Sequence, residues 1–292
     1  MVKNFFIVDV FAENKYSGNQ LAVFLDAENI PPEEMQLIAR EMNYSETTFV
    51  SSQEKSGSYD VRIFTPECEV PFAGHPTLGT AFVVQQEIIK REVERVILNL
   101  KVGQIPVFFS GSGGEKVLWM RQRSPSFGER VEKSVMVDVL GLAVEDLDER
   151  FPIEEVSTGL PALIVPLKSL LALKRIRVNV DKYNSLVEKL NAKLILAFCP
   201  ETRRPDTSLS VRVFAYYYGV PEDPATGSAN GCLAAYLSKY KYFGSDEINI
   251  KVEQGYEVRR PSLLFLKTNR KEEEIEVLVG GKVILIGKGS FV

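Results

Sequence analysis

One stretch of the sequence combines a strand pattern, a tight turn and a helix start around the only histidine of the chain. β-Branched and aromatic residues alternate over residues 59–65, which predicts a strand, and an apolar run that begins at Leu78 predicts a helix. His75 lies between them, after Gly74 and before Pro76, and a proline fits the first turn of a helix because its missing N–H is not needed there. The N–H groups and partial positive charge of a helix start favour an anion. The stretch therefore predicts an anion-binding site with a histidine beside it.

The same pattern recurs in the second half of the chain. Residues 227–230 take the place of residues 74–77, and a helix is predicted from Cys232 to Tyr240. A weaker parallel links residues 17–23 with residues 157–163. The period is far longer than that of solenoid repeats, so the repeat indicates two related domains. We expect two helix N-termini, one in each half, to face each other across a cleft.

Glu46 lies where a predicted helix gives way to a predicted strand, and it is a candidate general acid and base. A carboxyl group in a closing cleft can take a proton from one carbon and return it to another. The chain has 39 acidic residues, however, and the residues alone describe Glu46 equally as a surface glutamate at the start of a strand.

His75, Asp223 and Ser228 each have a structural and a chemical interpretation. A histidine is ordinarily solvated or part of a core, but the backbone around His75 favours a role in a site, and one histidine without clustered ligands does not make a zinc site. Asp223 precedes a proline, so it is a turn or capping residue, a substrate-orienting residue, or both. Ser228 is either a helix N-cap or a hydroxyl that holds a substrate carboxylate.

The residues predicted to bind substrate surround these four side chains. Gly74 and Gly227 have a firm physical basis, because only glycine lets backbone N–H groups approach a ligand so closely. Ser45, Thr77 and Ala229 complete the predicted binding set.

Composition excludes several classes of protein. With 292 residues, 45% hydrophobic content and a net charge of −4, the chain fits a globular protein of one large or two ordinary domains. It has no basic block, so nucleic acid is not an expected partner, and no apolar run long enough for a membrane span. Three cysteines without CxxC spacing and an N-terminus without a signal-peptide pattern predict a cytoplasmic location.

The order of the predicted elements indicates an α+β fold with two sheet-rich halves. Residues 123–128 are rich in Pro, Ser and Gly and are predicted to link the halves. We expect an N-terminal domain over residues 1–122 and a C-terminal domain over residues 123–281, with a last strand at residues 282–292 that packs back on the first domain.

Several motifs identify a family resemblance. They are residues 9–11 with 17–19, Glu41 with residues 45–47, residues 64–66 with 70–71 and 74–75, and residues 222–229. The sequence resembles the PhzF family of phenazine-biosynthesis-like isomerases, whose fold is that of diaminopimelate epimerase. The resemblance implies two pseudo-symmetric halves, each a twisted, mostly antiparallel sheet wrapped round a central helix, with the site between them. It also implies a homodimer that needs no cofactor or metal.

The resemblance further implies an activity. The phenazine enzyme of this family moves a proton within a cyclic amino-acid substrate, a dihydro-hydroxyanthranilate. Glu46 matches its acid/base glutamate, and His75, Asp223 and Ser228 match its other site residues.

The sequence departs from the two-thiol pattern of diaminopimelate epimerase. The positions of its paired thiol bases correspond to Ala73 and Thr226. Cys68 and Cys232 lie nearby but displaced, and we interpret both as small apolar fillers. We therefore expect a proton shift on one carboxylate rather than inversion between two bases.

The predicted function is a cofactor-independent isomerase that shifts a proton on a small carboxylate, an amino or cyclic acid, in the interdomain cleft. The alternative is a non-catalytic member of the same fold that binds a small metabolite or a protein. A hydrolase using Ser228 with His75 and Asp223 is disfavoured, because the sequence has no Gly-x-Ser-x-Gly elbow.

Overall fold

The chain forms two compact units. The computed structural model describes residues 3–51, 57–113, 116–271 and 274–292. Unit 1 comprises Met1–Arg121 with Gly280–Val292, and unit 2 comprises Gln122–Val279.

The strands and helices follow in chain order. Those of unit 1 are β1 (Lys3–Val10), β2 (Asn19–Phe24), α1 (Pro32–Met42), β3 (Glu46–Ser51), β4 (Ser58–Phe64), β5 (Glu69–Val70), α2 (Gly74–Val83), β6 (Arg95–Leu100), β7 (Gly103–Ser110) and β8 (Val117–Arg121). Those of unit 2 are β9 (Ser126–Arg130), α3 (Lys133–Leu140), β10 (Glu154–Ser157), β11 (Pro161–Pro166), α4 (Leu170–Arg175), α5 (Val180–Val187), β12 (Leu194–Cys199), β13 (Leu209–Ala215), β14 (Val220–Asp223), α6 (Gly227–Lys239), β15 (Ile248–Gln254) and β16 (Ser262–Lys271). β17 (Glu274–Gly281) begins in unit 2, and its last two residues, Gly280 and Gly281, belong to unit 1. β18 (Val283–Phe291) belongs to unit 1.

The strand pairing of unit 1 is mostly antiparallel. β1 pairs antiparallel with both β2 and β18, β3 with β4, β4 with β5, β6 with β7, and β7 with β8. Two pairs are parallel, β2 with β3 and β4 with β6. Each parallel pair encloses a helix in the sequence, α1 and α2 respectively, as parallel connections require.

Unit 2 repeats most of this pairing. β9 and β11 pair antiparallel with β10, β12 with β13, β13 with β14, and β15 with β16. The parallel pairs are β11 with β12 and β13 with β15. β9 therefore holds in unit 2 the place that β18 holds in unit 1. The prediction that residues 123–128 are a linker is wrong at Ser126–Gly128, because these residues form most of β9.

A buried helix lies at the centre of each unit. α2 packs against β1, β2, β3, β6, β7 and β8, and α6 packs against β10, β11, β12, β15 and β16. All residues of α2 except Phe82 and all residues of α6 except Lys239 are buried, so neither helix has a solvent face. Gly79 permits the close approach of α2 to its sheet, since a Cβ there would lie 2.6 Å from Leu21 Cδ2 and 2.9 Å from Val10 Cγ2. The predicted α+β fold, with a mostly antiparallel sheet round a central helix in each half, is confirmed.

Some elements differ from the sequence-based expectation. α6 begins at Gly227 rather than at Cys232, and α5 covers Val180–Val187 rather than 182–191. The short helix α4 was not predicted, although the Ser169 side chain accepts a hydrogen bond from the Ala172 N–H as an N-cap. α1 covers the outer face of the unit 1 sheet, and α3, α4 and α5 share a second apolar cluster in unit 2. In the described part of the chain, no helix combines the length and hydropathy that crossing a membrane requires.

Candidate active site

In unit 1 the fold brings Glu46 to the start of the central helix. Glu46 is the first residue of β3, and His75 is the second residue of α2. The hydroxyls of Thr48 and Thr80 share a buried hydrogen bond of 2.8 Å, which joins β3 to α2. Glu46 Oε2 lies 3.5 Å from His75 Nε2. Two residues that the sequence predicted separately are therefore neighbours.

His75 is held as a neutral imidazole. Its side chain is only 4% exposed. Burial lowers the pKa of His75 from its ordinary value of 6.5 to about 3, while a hydrogen bond with the backbone of Gln20 acts in the opposite direction. Desolvation disfavours the charged imidazolium more strongly than this bond favours it. The contact with Glu46 is therefore one between a carboxyl group and a neutral ring, not an ion pair, and its 3.5 Å separation is long for a hydrogen bond.

Asn19 contacts the other ring nitrogen of His75. Its Nδ2 lies 3.3 Å from His75 Nδ1, and the asparagine is 1% exposed. Sequence reasoning assigned residues 17–19 to a family motif but did not include Asn19 among the site residues. The sequence did contain a signal for Asn19, because it belongs to that motif and directly follows the turn glycine Gly18.

The turn before β2 has a backbone that only glycine accommodates. Gly18 has φ +69°, and a Cβ there would lie 2.3 Å from the carbonyl oxygen of Val10. The buried carboxylate of Asp9 accepts a hydrogen bond of 2.7 Å from the Tyr16 N–H, which fixes the same turn. The turn places Asn19 at the first position of β2, against His75.

The other predicted residues of unit 1 lie around the start of α2. Gly74 is the first helical residue and is buried. Ala73 is the N-cap and, as an alanine, has no side-chain oxygen to offer the first N–H groups. The Thr77 hydroxyl donates to the Ala73 carbonyl at 2.7 Å, so its proton is used within the helix. Ser45 is half-buried and immediately precedes β3.

In unit 2 the equivalent helix start carries Asp223, Gly227, Ser228 and Ala229. Asp223 ends β14, and its Oδ2 accepts a hydrogen bond of 2.5 Å from the Thr226 hydroxyl. Thr226 is the N-cap of α6, so the interpretation of Ser228 as an N-cap is wrong: Ser228 is the second helical residue and is 4% exposed. Ala229 follows it and is fully buried.

The cysteines differ from one another. Cys232 is fully buried, and burial raises the pKa of its thiol to about 11, as expected for a small apolar filler. Cys68 is exposed, so the same interpretation is wrong for Cys68. Ala73 and Thr226, the positions matched to the paired thiols, are the N-caps of α2 and α6. Among the described residues, no group of three or more His, Cys, Asp or Glu side chains forms a potential metal site.

Comparison with known proteins gives consistent results over almost the whole chain. The profile of the PhzC-PhzF family, described as phenazine biosynthesis-like protein, matches residues 8–289. The trans-2,3-dihydro-3-hydroxyanthranilate isomerase of Pseudomonas fluorescens is 36% identical over 293 residues, covering 99% of each chain. The crystal structure of a PhzF-family phenazine biosynthesis protein from Bacillus anthracis has a TM-score of 0.92 and 30% identity, covering 100% of this chain and 99% of that one.

A more distant likeness concerns the fold alone. A hydroxyproline epimerase from Agrobacterium vitis is 9% identical, with a TM-score of 0.66 over 99% of this chain and 91% of that one. It shares the diaminopimelate epimerase-like fold. The family profile, the isomerase relatives and the PhzF-family crystal structure lead to one conclusion: the chain belongs to the PhzC-PhzF family of phenazine biosynthesis-like proteins and is an isomerase of the PhzF type.

Proposed function

We propose that this isomerase shifts a proton within a small carboxylic acid and that Glu46 takes and returns the proton. The observation that supports this most directly is the position of the Glu46 carboxyl group, 3.5 Å from a buried, neutral histidine at the start of α2. A carboxyl group beside a helix start, next to a ring that carries no charge of its own, suits reversible proton transfer.

His75 is a poor candidate for the base. With a pKa of about 3, its ring holds a proton far too weakly to remove one from carbon near neutral pH. It can instead exchange a hydrogen bond with Glu46 as the carboxyl group gains and loses its proton. Of the two residues, Glu46 is therefore the candidate base.

The proposed step conserves all atoms. A C–H bond of the substrate breaks, the proton moves to a Glu46 oxygen, and the electron pair stays in the conjugated system of the substrate. Glu46 then returns the proton to a different carbon, which gives the isomer and restores the enzyme. No electron acceptor or added group is needed, and we propose that the reaction requires no cofactor or metal.

The helix starts supply binding groups for a carboxylate. The first N–H groups of α2, from Gly74 onward, have no side-chain cap from Ala73. In unit 2 the start of α6 presents Gly227 and Ser228 in the equivalent positions. We propose that the N–H groups at each helix start can bind a carboxylate, with Ser45 and Thr77 beside the start of α2 and Ala229 beside the start of α6.

The named relatives support a proposal for the substrate class. The Pseudomonas fluorescens relative is named for trans-2,3-dihydro-3-hydroxyanthranilate, a cyclic amino acid. We propose that this compound or a related cyclic or amino acid is the substrate here. We also propose a homodimer, which light scattering would report as twice the chain mass of 32.8 kDa, and a cytoplasmic location.

Proton exchange in heavy water tests the proposal. The wild-type protein, incubated with trans-2,3-dihydro-3-hydroxyanthranilate in D₂O, should produce an isomer with deuterium at carbon. Glu46→Gln should abolish this, while Glu67→Gln, an exposed glutamate of the same unit, should not. Undiminished deuteration in a folded Glu46→Gln variant would remove Glu46 from the mechanism. Tight binding by the wild type without turnover would instead mean that the substrate of this isomerase is a different compound.

A further inference from the structure

Gln254 forms hydrogen bonds with residues at both ends of the turn between β14 and α6, including Asp223. It is the last residue of β15 and is 1% exposed. Its Nε2 lies 2.8 Å from the Asp223 carbonyl and 3.1 Å from the Thr226 hydroxyl. Its Oε1 lies 2.8 Å from Asn230 Nδ2 and 3.3 Å from the Thr226 N–H. Both ends of one buried amide thus bind the end of β14, the N-cap of α6 and its first turn.

The direction of each hydrogen bond in this network is determined. The Asp223 carbonyl can only accept and the Thr226 N–H can only donate, which fixes the Gln254 amide with Nε2 as donor and Oε1 as acceptor. The Thr226 hydroxyl therefore accepts from Gln254 Nε2. Its single proton remains for Asp223 Oδ2, which lies 2.5 Å away. The network thus holds Asp223 as an acceptor.

At the equivalent positions that the structure describes, unit 1 has no such polar network. The strand registers align Ile63–Val70 with Val213–Asp223 and Tyr59–Leu98 with Leu209–Val252. Counting along the equivalent strands and helices matches four pairs of positions: Val70 with Asp223, Ala73 with Thr226, Thr77 with Asn230, and Leu100 with Gln254. In unit 1 the equivalent strand, turn and helix start therefore have apolar or small residues at these four positions. Folding of these elements does not require the network, so its presence in unit 2 points to a function of Asp223.

The backbone next to Gln254 is built to approach the same turn. Gly255 has φ +81°, and a Cβ there would lie 2.5 Å from the Pro224 carbonyl and 2.3 Å from the Arg260 carbonyl. Only glycine permits this contact. The end of β15 therefore lies directly against the turn that begins at Asp223.

We propose that Gln254 is a positioning residue for Asp223. By donating to Thr226, it turns the hydroxyl proton onto Asp223 Oδ2 and keeps that carboxylate ionised and in one orientation. A substrate group that donates a hydrogen bond, such as an ammonium or hydroxyl, then meets a fixed acceptor. This inference rests on the proposed function together with the sequence-based prediction that Asp223 orients the substrate.

The decisive variant is Gln254→Glu, which keeps the side-chain shape but removes both N–H donors at neutral pH. The Thr226 hydroxyl then turns toward the new carboxylate, Asp223 loses its donor, and a second negative charge lies close by. We expect Asp223 to take up its proton at a pH about one unit higher than in wild type, a tenfold increase in proton affinity. The acid limb of the pH profile of kcat should move in the same direction.

The measurement does not depend on turnover. The carboxyl carbon of Asp223, labelled with ¹³C and assigned by comparison with Asp223→Asn, is followed from pH 8 to pH 3 in wild type and variants. Gln254→Met, which has no donors and no charge, provides a second variant and should move the midpoint upward by less. Gln85→Glu is the matched control, because Gln85 is a buried amide of unit 1 that donates to the Arg91 carbonyl at 2.7 Å.

The outcomes separate the inference from the proposed function. An upward midpoint in every Gln254 variant that folds, with no change in Gln85→Glu, supports the role of Gln254 even if the substrate test fails. An unchanged midpoint in either folded variant overturns it even if Glu46 is the base. If neither variant folds, Thr226→Val tests the same chain of hydrogen bonds, because Asp223 then loses the hydroxyl that Gln254 orients.

Discussion

The buried histidine makes the stability of this protein depend on pH in a way that can be measured in isolation. Burial lowers the pKa of His75 from 6.5 to about 3 in the folded protein. In the unfolded chain the imidazole is solvated and regains its ordinary pKa. Between these two values the unfolded state binds one more proton than the folded state. The free energy of unfolding therefore rises with pH in this window and falls as the solution is acidified.

The size of the effect follows from the two pKa values. One proton contributes about 1.4 kcal/mol per pH unit once the pH lies well below 6.5. Between pH 7 and pH 5 the loss from His75 is about 2 kcal/mol, and between pH 7 and pH 3 it is about 4 kcal/mol. The value between pH 7 and pH 5 is the same for any folded-state pKa below about 4, so it does not depend on the depth of the shift.

Urea unfolding of wild type and His75→Gln separates this contribution from those of the carboxylates. The difference in unfolding free energy between the two proteins should change by about 2 kcal/mol from pH 7 to pH 5, with the wild type losing more. Because His75 is the only histidine, ¹⁵N spectra of the imidazole report its protonation without assignment. They should show a neutral ring in the folded protein from pH 8 down to pH 5.

Two results would refute this reasoning. One is an imidazole that titrates near pH 6.5 in the folded protein, because burial would then not keep the ring neutral and it would already be charged beside Glu46 at pH 5. The other is a difference between wild type and His75→Gln that stays constant from pH 7 to pH 5. Either result would also weaken the argument that His75 is too weak a base for the reaction.

Three further predictions follow from the packing and the proposed chemistry. Arg212→Met should destabilise by about 3–5 kcal/mol in urea unfolding, because Arg212 is only 7% exposed and its loss leaves the Glu222 carboxylate, 13% exposed, without this partner. Arg62→Met, the equivalent change in unit 1, removes an arginine that is 35% exposed, and its partner Glu69 keeps a salt bridge with Lys101, so it should cost about 1 kcal/mol or less. Equal costs would contradict the role of burial. Gly79→Ala should lower stability by about 1–3 kcal/mol through the clash with Leu21, and an unchanged midpoint would count against the close packing of α2. Isomerase activity should survive dialysis against EDTA, and its loss, restored by added metal, would contradict cofactor independence.

The repeat was predictable because its signals are local. A strand, a glycine turn and a helix follow one another within a few residues in each half, and the order of residue types was enough to align residues 74–77 with 227–230. The structure shows α2 and α6 beginning at the equivalent glycines, Gly74 and Gly227. The roles assigned to the site residues stay predictions.

The errors arose where a local signal competed with a distant partner. Residues 126–128 have the composition of a linker, but they form β9 because β10 offers an unpaired edge in unit 2. The N-cap assignment of Ser228 failed because the helix begins earlier than its apolar run. Cys68 was expected to be buried by its residue type, yet its position in the turn after β4 leaves it exposed.

The order of residues alone indicated the family resemblance, the two related halves and a short set of candidate residues, because each of these depends on neighbours in the chain. The folded chain settled the electrostatic character of those candidates. His75 is neutral because strands and a helix from distant parts of unit 1 exclude water from it, and Asp223 is an acceptor because Gln254, 31 positions away, orients the hydroxyl beside it. Desolvation and hydrogen-bond direction depend on which groups surround a side chain in three dimensions. The spacing of residue types along the sequence therefore does not predict them.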